Sequence, residues 1–134
     1  MNILADTLIL ICYLTDSSKL SEEAYQILEN EQNTIYYSIV SLWEIAIKHA
    51  RKPYELSLTA ADFTRFCEEQ GFIEHPLLKH HVYALDTLSR PDFAPTHNDP
   101  FDRLLLCQAK TDNLLFMTHD SLIPYYQEKC ILFV

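Results

Sequence analysis

The sequence predicts an α/β fold, a three-layer α/β/α sandwich around a mainly parallel sheet of about five strands, carried by a single domain over residues 1–134. Three observations predict it. Short apolar or β-branched runs alternate with helical patterns along the chain, which implies parallel strands covered by helices on both faces. The 134 residues are 49% hydrophobic, enough apolar material to close one core. No internal repeat, low-complexity tract or linker divides them.

Asn2 to Ala5 reads as a short strand ending at Asp6, and Thr7 to Leu14 continues apolar into a helix or helical turn. Ser21, followed by Glu22 and Glu23, has the pattern of an N-cap with first-turn acids, and Ala24, Ile27 and Leu28 supply the apolar face of that helix. Thr34 to Tyr37 is β-branched and aromatic, a second strand ending near Ser38. From there Ile39, Leu42, Trp43, Ala46, Ile47 and Ala50 recur at helical spacing and predict an amphipathic helix closed by Pro53, with that stripe facing inward. Glu44 lies at the flank of the stripe.

Ala60 to Glu69 predicts another helix with Phe63, Phe66 and Cys67 inward, and Phe72 to His75 a third strand. Val82 to Leu88 reads as helical and Pro91 to Pro95 as a loop. Asp99 and Pro100 match an N-cap followed by proline at the first helical position, opening a helix through Lys110. Leu115 to Thr118 and Ile131 to Phe133 complete the strands, separated by a short helix around Ser121 to Tyr126.

Composition narrows the chemistry. Gly71 is the only glycine, so a glycine-lined phosphate loop or dinucleotide-binding turn has no raw material. The longest apolar run, Leu8 to Leu14, falls far short of the ~20 residues that cross a bilayer, and no basic stretch precedes an apolar one at the amino terminus; the expectation is a soluble, cytoplasmic protein with no membrane partner. Cys12, Cys67, Cys107 and Cys130 stand singly among apolar neighbours, the pattern of buried reduced thiols and not of a disulfide or zinc framework. Ten Lys and Arg against nineteen Asp and Glu leave a net charge of −9, wrong for holding nucleic acid by charge alone and suited to a cation site or a basic partner.

In open parallel sheets the site lies beyond the carboxyl ends of the strands. Asp6 follows the first strand and Asp120 follows the Leu115 to Thr118 strand by two residues. Two carboxylates at one end of a sheet repel unless a cation sits between them, and Mg²⁺ or Mn²⁺ favours carboxylate and water oxygens. Glu44 reaches toward the rim of that site, and Asp102 lies in the first turn of the helix begun at Asp99. Each acid also has a plainer reading: Asp6 and Asp120 as turn residues, Glu44 paired with Lys48 at i,i+4, Asp99 as a cap, and Asp102 complementing the helix dipole. The six histidines show no metal-binding spacing, and only His119 is close in sequence to a candidate ligand, which makes it a candidate phosphate contact.

Four blocks taken together carry a family resemblance: Asn2-Ile3-Leu4-Ala5-Asp6-Thr7, Ser41-Leu42-Trp43-Glu44-Ile45-Ala46-Ile47-Lys48, His97-Asn98-Asp99-Pro100-Phe101-Asp102-Arg103-Leu104-Leu105 and Met117-Thr118-His119-Asp120. In this order they resemble a PIN domain, most closely the VapC-like branch of bacterial toxin–antitoxin ribonucleases. The resemblance implies a sheet with the first strand in the middle and a Mg²⁺- or Mn²⁺-dependent endoribonuclease, the toxin of a type II pair. It implies that Asp6, Glu44, Asp102 and Asp120 are the catalytic and metal-ligating acids. Asp99 is carried over as a supporting acid, and Thr118 and Thr7 as hydroxyls that hold a ligand water or a carboxylate. It further implies an RNA substrate, a cognate antitoxin and a homodimer.

Leu8 stands where this branch often has histidine or asparagine, His119 where arginine is common, and Lys48 to Pro53 where a glycine-containing turn is usual. Lys48, Arg51 and Lys52 form the densest basic group and, with Arg103 and His119, are the candidate substrate contacts. Tyr36, Tyr37 and Trp43 offer rings for base stacking or for the core. An alternative reading is a catalytically degenerate PIN-like binding module that acts by associating with a basic protein partner.

Overall fold

The structure is a computed structural model that describes residues 1–134. Five strands form one sheet: β1 (Asn2–Ala5), β2 (Thr34–Ser38), β3 (Ile73–His75), β4 (Leu115–Thr118) and β5 (Ile131–Phe133). Their order is β3-β2-β1-β4-β5, every pairing is parallel, and β1 is central. Six α-helices connect them: α1 (Thr7–Thr15), α2 (Glu22–Glu29), α3 (Ile39–Arg51), α4 (Ala60–Glu69), α5 (Lys79–Tyr83) and α6 (Pro100–Thr111).

Alternation along the strands divides the core in two. Ile3 and Ala5 of β1, with Ile35, Tyr37 and Met117, face a layer that includes Ile9, Leu10, Leu28, Ile45 and Phe63 from α1 to α4. Leu4 and Phe116 face the opposite layer, built from Leu104, Leu105, Leu106 and Ala109 of α6 with Ile123 and Tyr126. The predicted three-layer architecture follows directly. No helix is long and apolar enough to cross a membrane.

Local chemistry sets the element ends. Ser21 accepts a hydrogen bond from the Ala24 N–H at the start of α2, and Asp99 accepts from Phe101 and Asp102 at the start of α6, just before Pro100. Gly71, at φ +78°, closes α4, with its own N–H on the Glu68 carbonyl and that of Phe72 on the Cys67 carbonyl. Asn113 takes the same left-handed turn after α6 at φ 56°, so a chain with one glycine still closes both helices.

Two elements differ from the sequence reading. The Val82 to Leu88 segment is not one helix: α5 starts earlier, at Lys79, and passes into a 3₁₀ turn over Ala84–Thr87. The face of α3 is also rotated. Its buried residues are Val40, Ser41, Glu44 and Ile45, whereas Trp43 is 52% exposed and Ala46 and Ala50 face solvent. Val40 belongs to one core layer and Ile45 to the other, so α3 straddles the sheet and turns a polar strip inward. Tyr37 is core, and the four cysteines are free thiols.

Candidate metal centre

Asp6, Asp99, Asp102 and Asp120 sit where elements begin or end, and Glu44 sits within α3. Asp6 leaves the central strand β1 and is the N-cap of α1: Oδ1 accepts from the Leu8 N–H at 2.8 Å, and Oδ2 accepts from the Thr118 hydroxyl at 2.8 Å. Thr118 ends β4, the neighbouring strand, and its Oγ1 also accepts the Asp120 N–H at 3.1 Å. One hydroxyl therefore fixes Asp6 and the backbone of the turn that carries Asp120. Asp120 Oδ1 accepts from the Leu122 N–H at 2.9 Å, which leaves Oδ2 facing the site.

Glu44 is brought in by the inward polar strip of α3 and is 4% exposed. Its Oε2 pairs with Lys48 Nζ at 2.5 Å, so the i,i+4 ion pair exists on the same side chain that faces the other acids. Its Oε1 is buried with no hydrogen-bond partner. Thr7 bonds Ser41 at 2.7 Å and ties α1 to α3 without touching a carboxylate. Asp102, in the first turn of α6, is 9% exposed.

Electrostatics joins these groups. Burial pushes the Asp102 carboxyl up to about 8, and the nearby charges of Asp6, Asp99, Glu44 and Asp120 push in the same direction. Burial raises Asp6 as well; the Thr118 and Leu8 hydrogen bonds oppose it, Glu44 adds to it, and His119 lowers it. Asp6, Glu44, Asp99, Asp102 and Asp120, which are scattered through the sequence, thus form one field at the carboxyl ends of β1 and β4. Such a cluster is costly without a cation. Burial pulls Lys48 down, but its bond to Glu44 and the charges of Asp99 and Asp102 leave it raised, a firmly charged counter-ion at the rim.

The donor set fits a hard divalent ion: carboxylate oxygens from four elements, one of them an orphaned buried oxygen on Glu44. The sequence reading missed His97, whose Nε2 lies 3.5 Å from Asp102 Oδ2 and 4.0 Å from Asp120 Oδ2. Only its place five residues before Asp102 hinted at it, and the loop before α6 folds it back over the site. Burial holds its imidazole below the usual histidine range.

Beside the acids runs a groove lined by Leu8, Ile11, Leu56, Lys19, Lys48, Arg51 and Lys52. The basic group of α3 therefore shares a wall with the acid cluster through Lys48. Trp43 packs edge-on against Phe101, ring centroids 5.0 Å apart, a contact that joins α3 next to Glu44 with α6 next to Asp102.

A second cluster was invisible in the sequence. His75 Nε2 and His81 Nε2 each lie 2.6 Å from Asp112 Oδ2, and His80 Nε2 lies 3.0 Å from Oδ1. The Leu78 N–H donates to His81 Nδ1 at 2.9 Å. That bond fixes the proton of neutral His81 on Nε2, where it is donated to Asp112, so His81 has no free lone pair for a metal. The group is a hydrogen-bonded clasp that ties β3 and α5 to the end of α6.

The PIN domain family is matched over residues 3–128, and the chain belongs to that family. Its fold is similar to a chain in the crystal structure of VapBC2 from Rickettsia felis bound to a DNA fragment from their promoter, with a TM-score of 0.68 and 12% identity over 100% of this chain and 98% of that one. It is also similar to a chain in a toxin–antitoxin complex from Klebsiella pneumoniae, with a TM-score of 0.51 and 20% identity over 89% of this chain and 87% of that one. No curated protein matches the chain.

Proposed function

We propose that the protein is a metal-dependent endoribonuclease, a single PIN domain over residues 1–134 that hydrolyses RNA phosphodiester bonds with Mg²⁺ or Mn²⁺. The observation that carries this reading is the convergence of the buried Asp6, Glu44 and Asp102 carboxylates with Asp120 at one end of the sheet, with Glu44 Oε1 buried and unpaired. A site built at such electrostatic cost suits a cation more than a structural turn.

Asp6 is the central ligand, because it ends the middle strand with both oxygens held by N–H and O–H donors. Asp102 and Asp120 complete the ligand set, and Glu44 holds a water or a second ion through Oε1. Asp99 caps α6 and adds negative potential from behind. A bound divalent ion would supply a nucleophile from water near neutral pH and neutralise charge on the scissile phosphate. Lys48, Arg51 and Lys52 guide the phosphate backbone along the groove, and Arg103 and His119 flank the acids as local positive contacts. Thr118 keeps Asp6 from rotating as substrate enters.

The partner reading extends this one. The two similar structures come from toxin–antitoxin complexes, and the net charge of −9 favours a basic segment lying over the acids. We assign the chain as the toxin of a type II pair, assembled as a homodimer and acting in the cytoplasm, where its free thiols stay reduced. The test is cleavage of mixed RNAs with Mg²⁺ or Mn²⁺, with and without chelator, for wild type and Asp6→Asn. Metal-dependent cutting that Asp6→Asn abolishes is expected. A degenerate binding module would cut under no metal.

A further inference from the structure

His97 is a buried side chain at the site, with an unpartnered ring nitrogen, that the reading above does not use. Only 3% of its side chain is exposed. Nδ1 is 2.6 Å from the Tyr126 hydroxyl, and Arg90 stacks over the Tyr126 ring at 5.1 Å, so the imidazole is fixed from behind. Nε2 has no hydrogen-bond partner. It points between Asp102 Oδ2 at 3.5 Å and Asp120 Oδ2 at 4.0 Å, and the three atoms lie within 4.8 Å of one another.

Those separations discriminate between two roles. An Nε2–H facing two carboxylates would close to a charge-assisted hydrogen bond of about 2.8 Å. Ligands of one octahedral ion with bonds near ~2.1 Å instead stand about 3 Å apart at right angles and about 4.2 Å apart across it. The observed 3.5 and 4.0 Å are too long for that hydrogen bond and lie between the two ligand separations, which leaves room for an ion between the three atoms.

We propose that His97 is a nitrogen ligand of the ion held by Asp102 and Asp120, and that it biases the site from Mg²⁺ toward first-row transition ions such as Mn²⁺. The tautomer that does this donates Nδ1–H to the Tyr126 oxygen and leaves Nε2 bare, the usual arrangement of a ligating histidine oriented by a polar neighbour. Imidazole nitrogen suits transition ions, whereas Mg²⁺ selects oxygen ligands and retains water. This inference rests on the metal reading above, and its test separates the two.

Pulsed electron-spin resonance of Mn²⁺ bound to the full chain reads directly bound nitrogen without any turnover. A nitrogen coupling is expected in wild type, altered when histidine carries heavy nitrogen and lost in His97→Gln while Mn²⁺ stays bound. Calorimetric titration should show His97→Gln weakening Mn²⁺ by on the order of tenfold, with a much smaller change for Mg²⁺. Bound Mn²⁺ with no nitrogen coupling, or a coupling that survives His97→Gln, overturns the histidine ligand and leaves the acid site standing. Failure of wild type to bind Mn²⁺ overturns both. Should His97→Gln not fold, the labelled His119→Gln and Asp112→Asn proteins decide: a coupling present in both supports His97, and its loss in either overturns the assignment.

Discussion

Thr118 donates its hydroxyl proton to Asp6 Oδ2 at 2.8 Å, joining the carboxyl ends of the two central strands across 112 residues of sequence. Thr118→Val keeps the volume and leaves a buried carboxylate oxygen unpaired, which costs about 1–3 kcal/mol. Loss of the orienting bond is expected to lower cleavage by roughly 10- to 100-fold. Thr118→Ser restores the hydroxyl and most of the rate. Urea melts and single-turnover assays on the two variants measure this, and a wild-type rate in Thr118→Val contradicts the positioning role.

Asp102 makes the metal-free protein sensitive to pH. Its folded carboxyl titrates at about 8 and its unfolded one near the ordinary value of ~3.9. The raised group contributes stability below the unfolded value, and that contribution is lost as pH climbs through about 8. The metal-free melting temperature is therefore expected to fall across this window, and saturating Mn²⁺ to reverse the fall. Asp102→Asn should flatten the profile and raise metal-free stability at the alkaline end while abolishing cleavage. A variant less stable than wild type there refutes this account of Asp102.

The Asp112 clasp behaves oppositely. Burial alone would raise this carboxyl, but the bonds from His80, His81 and His75 hold it well below the usual carboxylate range. A depressed carboxyl contributes stability above its unfolded value, and that contribution is lost as pH falls through the folded one. Asp112→Asn is expected to cost about 2 kcal/mol at neutral pH, read in urea melts. The folded variant should cut RNA at the wild-type rate, because the clasp lies at the far end of α6 from Asp102. A rate change in fully folded protein would show coupling between the two ends.

Trp43 is the only tryptophan, half exposed against Phe101 beside the acids. Its fluorescence should shift when RNA covers the acid cluster in an Asp6→Asn background that cannot cut. Trp43→Ala should lower RNA affinity with less than about 1 kcal/mol lost from stability, as for a surface residue. Unchanged affinity would place the RNA path elsewhere.

The strands were legible because short apolar runs stop at polar residues, as β1 stops before Asp6 and β4 at Thr118. The starts of α2 and α6 were legible because Ser21 and Asp99 cap them with side-chain oxygens. The start of α5 was not: Leu78 has no capping side chain, and its N–H is satisfied by the ring of His81. The apolar stripe of α3 misled because Glu44 and Ser41 face inward, against the usual rule, and leave Trp43 outside. The positions of the four acids were visible as motif blocks, but His97 and the Asp112 clasp arise only when distant segments meet.

The most direct measurement is anomalous diffraction from a crystal soaked in Mn²⁺. A peak within about 2–2.5 Å of carboxylate oxygens from Asp6 and Asp102, with Asp120 and Glu44 around it, is the expected result. No peak there, or one lying only among His75, His81 and Asp112, would contradict the claim that these acids form a metal site.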